Sequence, residues 1–303
     1  MEVKGVLKER VCAVVVTYNR KALLRECLQA LLGQARVVDE IVVVDNASTD
    51  GTDEMLAGEF AAVHVLRLPK NVGGAGGFHA GMKWAYEEGF DWVWLMDDDT
   101  ITEGNTLNAL LEAKESFGEA VRPCLLASKV VWTDGSLHPM NISSAKRLDK
   151  DPEGVMSAAE HSTVSVRWAS FVSLLLHRSM IGRYGLPVAD YFIWNDDAEY
   201  TARVLRHEFG VLVPASRVVH KTEKKHTALD AAPQRYYYQV RNVIWMLTRS
   251  NAWSGEERTK IMLVHSRWVF AYLRRSRFSW PSIRAVGSGL RDGIFRAPKT
   301  VGL

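Results

Sequence analysis

Cysteine is scarce in this chain, with three in 303 residues. Cys12, Cys27 and Cys124 are odd in number and lack metal-ligand spacing, which excludes a structural zinc ribbon and a disulfide scaffold. They read as reduced, mostly buried thiols of a cytosolic protein. No apolar run approaches the length that spans a bilayer. The opening Met-Glu-Val-Lys-Gly-Val-Leu-Lys-Glu-Arg lacks the apolar core of a signal peptide. Internal repeats and long low-complexity tracts are missing too. What remains is an ordinary globular composition, 47% apolar and 24% charged. Its length allows one large domain or a domain plus an appendage.

The first part alternates strand and helix signals. Val11-Cys12-Ala13-Val14-Val15-Val16 is a β-branched run suited to a strand covered on both faces. Residues 20–32 then place Leu23, Leu24, Cys27, Leu28, Leu31 and Leu32 at helical spacing. Ile41-Val42-Val43-Val44 predicts a second strand, ending in Asp45-Asn46. A helix over about 52–59, a strand over 63–68, a helix over 77–88 and a strand over 92–96 follow. This alternation predicts a mostly parallel α/β sheet with ligands outside the carboxyl ends of its strands. Further on, a helix over about 105–117 and a strand over 123–132 are expected, then a polar, turn-rich excursion over 134–165. An apolar stretch over 166–176, a helix from about Asp196 to His207 and a short strand Val211-Leu212-Val213 precede His220. Beyond Asp230 the pattern is helical.

The chemistry concentrates at the strand ends. Asp97-Asp98-Asp99 follows the buried run Trp92-Val93-Trp94-Leu95-Met96. Acids in series there need a cation or hydrogen-bonding ligand to offset their repulsion. Strand alternation points Asp97 and Asp99 one way and Asp98 the other. Two carboxylates on one side make a hard-oxygen site for Mg²⁺ or Mn²⁺, usually completed by substrate phosphates. His220, after a strand in a basic polar stretch, suits a third ligand to such an ion, and His226 is a weaker candidate. The glycine loop Asn71-Val72-Gly73-Gly74-Ala75-Gly76-Gly77 lets backbone N–H groups approach an anion closely at a helix start. It is not a Rossmann fingerprint, because His79 occupies the last glycine position, and no Gly-Lys-Ser/Thr makes it a P-loop. In Asp196-Asp197-Ala198-Glu199 a capping box is expected from Asp196 and Glu199. That leaves Asp197 free to act as a general base on a hydroxyl nucleophile. In the run 235–242, Arg241 is the cation expected to reach a phosphate.

Basic residues cluster late: Arg258, Lys260, Arg267, Arg274, Arg275, Arg277, Arg284, Arg291, Arg296 and Lys299, against Asp292 alone. Trp268, Phe270, Tyr272, Phe278, Trp280 and Phe295 are interleaved with them. The stretch reads either as a packed helical tail with a solvated basic face or as an attachment to an anionic membrane surface. No nucleic-acid recognition motif accompanies it.

Four motifs in order carry a family resemblance: Val14-Val15-Val16-Thr17-Tyr18-Asn19-Arg20, the run from Val43 to Thr52, the glycine loop from Asn71, and the tri-aspartate. Together they resemble a family-2 glycosyltransferase of the GT-A fold, over roughly the first 120 residues. The run from Phe192 to Tyr200 with His220, and the wording around 73–82 and 91–99, is similar to bacterial galactofuranosyltransferases and related rhamnosyltransferases. The resemblance implies a mostly parallel, mixed sheet flanked by helices, with a catalytic domain over 1–228. Its nucleotide-sugar half would span about 1–120 and its acceptor half about 121–228. A helical basic-aromatic region, 229–303, would follow. It implies that Thr17 and Asp45 hold a uracil-type base with Arg20 nearby. Asn71, Gly73, Gly74 and Gly76 would lie along the ribose and diphosphate. Asp97, Asp99 and His220 would meet Mn²⁺ or Mg²⁺, Asp98 would contact the nucleotide, and Asp197 would be the base. Trp168, Trp194 and Asp196 are the acceptor-side candidates. The expected donor is UDP-galactofuranose, with a nucleotide-activated rhamnose as the alternative. The expected acceptor is a lipid-linked saccharide of the cell envelope, met in the cytoplasm at the inner face of the membrane. A sugar nucleotidyltransferase or a non-catalytic nucleotide-sugar binding module are more distant readings.

Overall fold

A computed structural model describes residues 9–118, 121–225 and 227–299. The elements run β1 (Val11–Thr17), α1 (Lys21–Leu32), β2 (Glu40–Asp45), α2 (Thr52–Glu59), β3 (His64–Arg67), α3 (Gly73–Glu87), β4 (Trp92–Asp97), β5 (Thr100–Thr102) and α4 (Thr106–Ser116). They continue with β6 (Leu125–Val131), β7 (Ser144–Ala145), α5 (Pro152–Glu160), β8 (Val164–Trp168), β9 (Leu174–His177), α6 (Arg178–Tyr184), α7 (Asp196–Val204) and β10 (Gly210–His220). Three helices close the chain: α8 (Pro233–Thr248), α9 (Gly255–Arg275) and α10 (Trp280–Phe295).

The strands form one mixed sheet in the order β3-β2-β1-β4-β9-β6-β10-β8-β7, with β5 pairing β10. The run β3-β2-β1-β4 is parallel, as the β-branched segments predict. Antiparallel β9 then separates β4 from β6. Register places Thr17 opposite Asp45 and Val16 opposite Asp97. Three motif ends therefore meet at one sheet edge, where the strand order reverses around β1.

Helices cover both faces. The buried positions of α1, Leu24, Cys27, Leu28 and Leu31, repeat at i, i+3, i+4 and i+7 and form one stripe against the sheet. On the other face α3 lies so close that a Cβ at Gly77 would stand 2.4 Å from Val16 Cγ1. Helix α3 starts at Gly73, not at residue 77, so the glycine loop is itself the first helical turn.

The excursion after 134 is more ordered than its polarity predicts. It contains β7 and α5, which Asp151 caps by accepting a bond from Gly154 N at 3.0 Å, with Pro152 in the first turn. The apolar 166–176 stretch is divided between β8 and β9, with a break at 169–173 where Ser173 has φ 57°. Strand β10 is longer than expected, because a bulge between Val213 and Arg217 carries it past Pro214 to His220. In the last region α8 and α10 pack closely, and Tyr237 donates to Asp292 Oδ2 at 2.8 Å. Helix α9 is different, with Tyr272 as its buried residue. No helix among the described residues is long and apolar enough to cross a membrane.

Candidate active site

Strand β4 ends at Asp97, and the chain turns at Asp98-Asp99 into β5. The turn thus sorts the three acids. Asp98 Oδ2 accepts from Thr17 Oγ1 at 2.7 Å, and its Oδ1 accepts from Arg20 Nη1 at 3.2 Å. Arg20 Nη1 also donates to Asp99 Oδ2 at 2.7 Å, tying the end of β1 to the turn. His220 pairs in register with Thr100, which sets its ring beside Asp99, with Nε2 2.9 Å from Oδ1. Ligand atoms of Asp97, Asp99 and His220 all lie within 4.8 Å of one another.

Burial and the charge of Asp99 push the Asp97 carboxyl up to about 7. Burial likewise raises Asp98, to about 6. Burial would raise Asp99 as well, but His220 and Arg20 outweigh it and hold that carboxyl at about 2. Burial disfavours the His220 cation, but the neighbouring Asp99 prevails and raises its pKa.

The trio fits a divalent ion. Asp99 Oδ1 is buried without an aligned hydrogen-bond donor despite its closeness to His220. The imidazole is also oriented for ligation. Asn141 Nδ2 donates to Ser170 Oγ at 3.1 Å, which turns its carbonyl oxygen toward His220 Nδ1 at 2.8 Å. With an ion bound and the ring neutral, this bond would keep the proton on Nδ1 and leave the Nε2 lone pair toward the acids. Asn141 lies in the polar excursion, where sequence alone offers no signal for it. His226 lies outside the described residues.

Asp197 lines the same cleft as the trio, a cavity of about 1590 Å³. The capping box is not what forms. Helix α7 starts at Asp196, its N-cap is Asn195 in the left-handed region, and no side chain caps it. Glu199 instead accepts from Arg203 at 2.9 Å and from Ser250 at 2.7 Å, because both donors reach it in a buried setting. Burial and the adjacent Asp197 raise Asp196 well above the carboxylate range. Burial raises Asp197 to about 6, against a 2.7 Å bond that its Oδ1 accepts from Ala198 N.

The approach to this pair is strained, with Phe192, Trp194 and Asn195 at φ of 63°, 66° and 66°. Helix α8 holds it. Asn242 Nδ2 lies 2.9, 2.9 and 2.8 Å from the carbonyls of Tyr191, Ile193 and Trp194. Arg241 donates to the carbonyls of Asp190 and Tyr191. The expectation that Arg241 reaches a phosphate is therefore wrong. It is buried, spent on this loop and ringed by Tyr237, Tyr238 and Trp245. The cation of α8 that lines the cleft is Arg235.

Thr17, Arg20, Asn71, Gly73 and Gly74 also line the cleft, whereas Gly76 packs on Val72. Asn71 Oδ1 accepts from Gly73 N at 2.8 Å, and Gly73, at φ 76°, lies against Phe192. Asp45 does not open onto the cleft. Its Oδ1 accepts from Ser48 N at 2.9 Å, while its buried Oδ2 makes no hydrogen bond and has Arg67 Nε 3.7 Å away. Trp168, Trp194 and Asp196 line the cleft as well, with Trp253 and with Ile261, Val264, His265 and Trp268 of α9. Those four recur at i, i+3, i+4 and i+7, a periodicity available in the sequence but obscured by the surrounding basic residues.

The sequence pattern of glycosyl transferase family 2 matches residues 12–163. The chain belongs to that family. This glycosyltransferase is 31% identical over 224 residues to the galactofuranosyltransferase GlfT1 of Mycolicibacterium smegmatis, covering 69% of this chain and 70% of that one. It is 26% identical over 303 residues to an N-acetylglucosaminyl-diphospho-decaprenol L-rhamnosyltransferase of Mycobacterium tuberculosis, covering 87% of this chain and 94% of that one. Its fold is similar to the crystal structure of S. aureus TarS 1-349 in complex with UDP-GlcNAc. The TM-score there is 0.63 at 15% identity, over 95% of this chain and 82% of that one. The GT-A architecture expected from the motifs is therefore the fold of this enzyme.

Proposed function

We propose that this glycosyltransferase moves galactofuranose from UDP-galactofuranose, with inversion, onto a hydroxyl of a cell-envelope glycan or lipid-linked saccharide. The observation that carries the reading is the joint lining of one cleft by the Asp97, Asp99 and His220 cluster and by Asp197. Thr17, Arg20, Asp98, Asn71, Gly73 and Gly74 line the donor side. Asp45 would join them only through a movement that opens its buried, unbonded Oδ2 to the base. Trp168, Trp194 and Asp196, with the α9 stripe, are assigned to the acceptor. We take 1–228 as the catalytic domain and 229–303 as its helical extension. The exposed basic-aromatic face of that extension would rest on an anionic membrane from the cytoplasmic side.

Asp97, Asp99 and His220 would hold Mn²⁺ or Mg²⁺, which when bound neutralises charge on the donor diphosphate. Asp197 takes the proton of the acceptor hydroxyl. The freed oxygen pair forms a bond to the anomeric carbon from the face opposite the diphosphate. The old carbon–oxygen bond breaks and its electron pair leaves with UDP. A base with its carboxyl near 6 is ionised at neutral pH yet still a competent proton acceptor.

A nucleotide-activated rhamnose is the second reading, supported by the longer alignment to the rhamnosyltransferase. Thermal stabilisation by a set of nucleotide sugars, with and without Mn²⁺, separates the two, because the bound donor raises apparent stability by mass action. UDP-galactofuranose should give the largest metal-dependent shift. A larger shift with a rhamnose nucleotide replaces the donor. No UDP release in the presence of any envelope saccharide acceptor would sink the transfer reaction.

A further inference from the structure

The cleft is rich in acids: Asp97, Asp98, Asp99, Asp196 and Asp197 all line it. Several of its cations are already spent on carboxylates. Arg20 is bound to Asp98 and Asp99, Lys221 to Glu26, Lys225 to Asp134 and Lys260 to Glu256. Arg235 differs. It lies in the first turn of α8, lines the same cleft, and has no ion-pair partner among the described residues. Its guanidinium carbon sits 5.2 Å from the centroid of the Trp194 ring, on the strained segment leading to Asp197. An indole under a guanidinium fixes its plane and leaves its N–H groups free to bind an anion.

The location is informative as well. Burial and the positive charge of Arg20 both push the Arg235 pKa down. Arg20 itself is 2.7 Å from Asp99, so the charge that acts on Arg235 sits at the edge of the acidic trio. Two guanidinium groups repelling each other in a shared cleft, one of them without an acid, describe a site built for a multiply charged anion. Resting on the donor reading above, we propose that Arg235 binds the diphosphate of the nucleotide sugar and stabilises the charge it gains as the leaving group. It does so through donated hydrogen bonds, without proton transfer. The electron pair of the broken carbon–oxygen bond stays on the β-phosphate oxygen.

Calorimetric titration of the full chain with UDP, inorganic pyrophosphate and uridine, each with Mn²⁺, tests this. Arg235→Ala should weaken UDP and pyrophosphate about 10- to 100-fold, as expected for losing a charged hydrogen bond. Uridine affinity should stay unchanged, and Arg235→Lys should restore part of the loss by supplying charge without the planar fork. Lack of pyrophosphate binding by the unaltered chain, equal pyrophosphate affinity in Arg235→Ala, or a uridine loss as large as that of UDP would each overturn the assignment. Pyrophosphate binding that depends on Arg235, without preference for UDP over other nucleoside diphosphates, would support the arginine's role and refute only the uridine donor.

Discussion

Replacing Asp197 with asparagine should trade activity for stability, and the trade should depend on pH. Burial raises its carboxyl from 3.8 to about 6, so the folded state holds this proton more tightly than the unfolded chain does. A raised acid contributes its greatest stability below the unfolded pKa. That contribution is lost as pH rises from 3.8 towards 6, and the deficit is constant above it. A shift of about two pH units, at 1.36 kcal/mol each, corresponds to roughly 3 kcal/mol. Asparagine keeps an oxygen for the Ala198 N–H and carries no charge, so the variant should recover up to that amount at pH 7.5 and none near pH 4. In a chain of this size that is roughly 5–10 °C in Tm. Turnover should fall by about 10²- to 10⁴-fold, the usual loss of a general base, with UDP affinity nearly intact. In the unaltered enzyme kcat/KM should drop about tenfold per unit below pH 6, where the base is protonated. Thermal melting from pH 4 to 8 and a UDP-release assay read both effects. A Tm difference that is the same at pH 4 and 7.5 would refute the burial argument, and substantial retained turnover would refute the base.

Other consequences are checked independently. Asp99→Ala removes the carboxylate between Arg20 and His220, so metal-dependent UDP binding should weaken at least tenfold by calorimetry; unchanged affinity argues against its ligand role. Asn141→Ala frees the His220 tautomer, and Mn²⁺ affinity followed by electron paramagnetic resonance should fall about 10- to 100-fold. An unaltered titration would mean that the Asn141 bond is incidental. Gly73→Ala places a Cβ 2.0 Å from Phe192 O at a positive φ, whereas Gly74→Ala meets nothing within 4 Å. The first should cost at least about 2 kcal/mol in denaturant unfolding and the second much less; equal costs would deny the close approach. Leu263, Arg267, Phe270 and Arg274 share one exposed face of α9. Reversing both arginines to glutamate should lower binding to anionic vesicles at least roughly 30-fold at about 1 kcal/mol per cation, and unaffected binding would remove the membrane from the proposal.

The first part of the sheet, β1 to β4, was legible because its signals are local. A β-branched run makes a buried strand, a strand end exposes the next side chains at the sheet edge, and the pairing of Thr17 with Asp45 and Val16 with Asp97 needs only parallel register. Asp97 and Asp99 could be grouped from alternation alone, although the turn at 98–99, rather than a continuing pleat, is what sorts them. His220 was identifiable as a candidate, but its place beside Asp99 depends on β10 extending past Pro214 to pair with β5, which no short window reveals. The segments around Asn141 and 190–195 were less legible for the same reason. Asn141 works through a histidine 79 positions away, and the shape of 190–195 is set by side chains of α8 some 50 positions on. The expectation for Arg241 failed because helical spacing cannot tell which face of α8 meets the strained loop and which meets the cleft.

That loop gives α8 a part in both proposed substrate sites. Three non-glycine residues with positive φ within four positions cost free energy, on the order of 1 kcal/mol or more each, and persist only if the surroundings hold them. The Asn242 amide, fully buried and directed at three of the loop's carbonyls, supplies that support. The same helix carries Arg235 two turns earlier, against Trp194 of the loop. A shift of α8 would therefore change the Arg235 guanidinium and the Asp197 carboxylate together. The group proposed to meet the leaving diphosphate and the group proposed to activate the acceptor share one support, which would couple donor-side geometry to acceptor-side reactivity without any contact between the two residues.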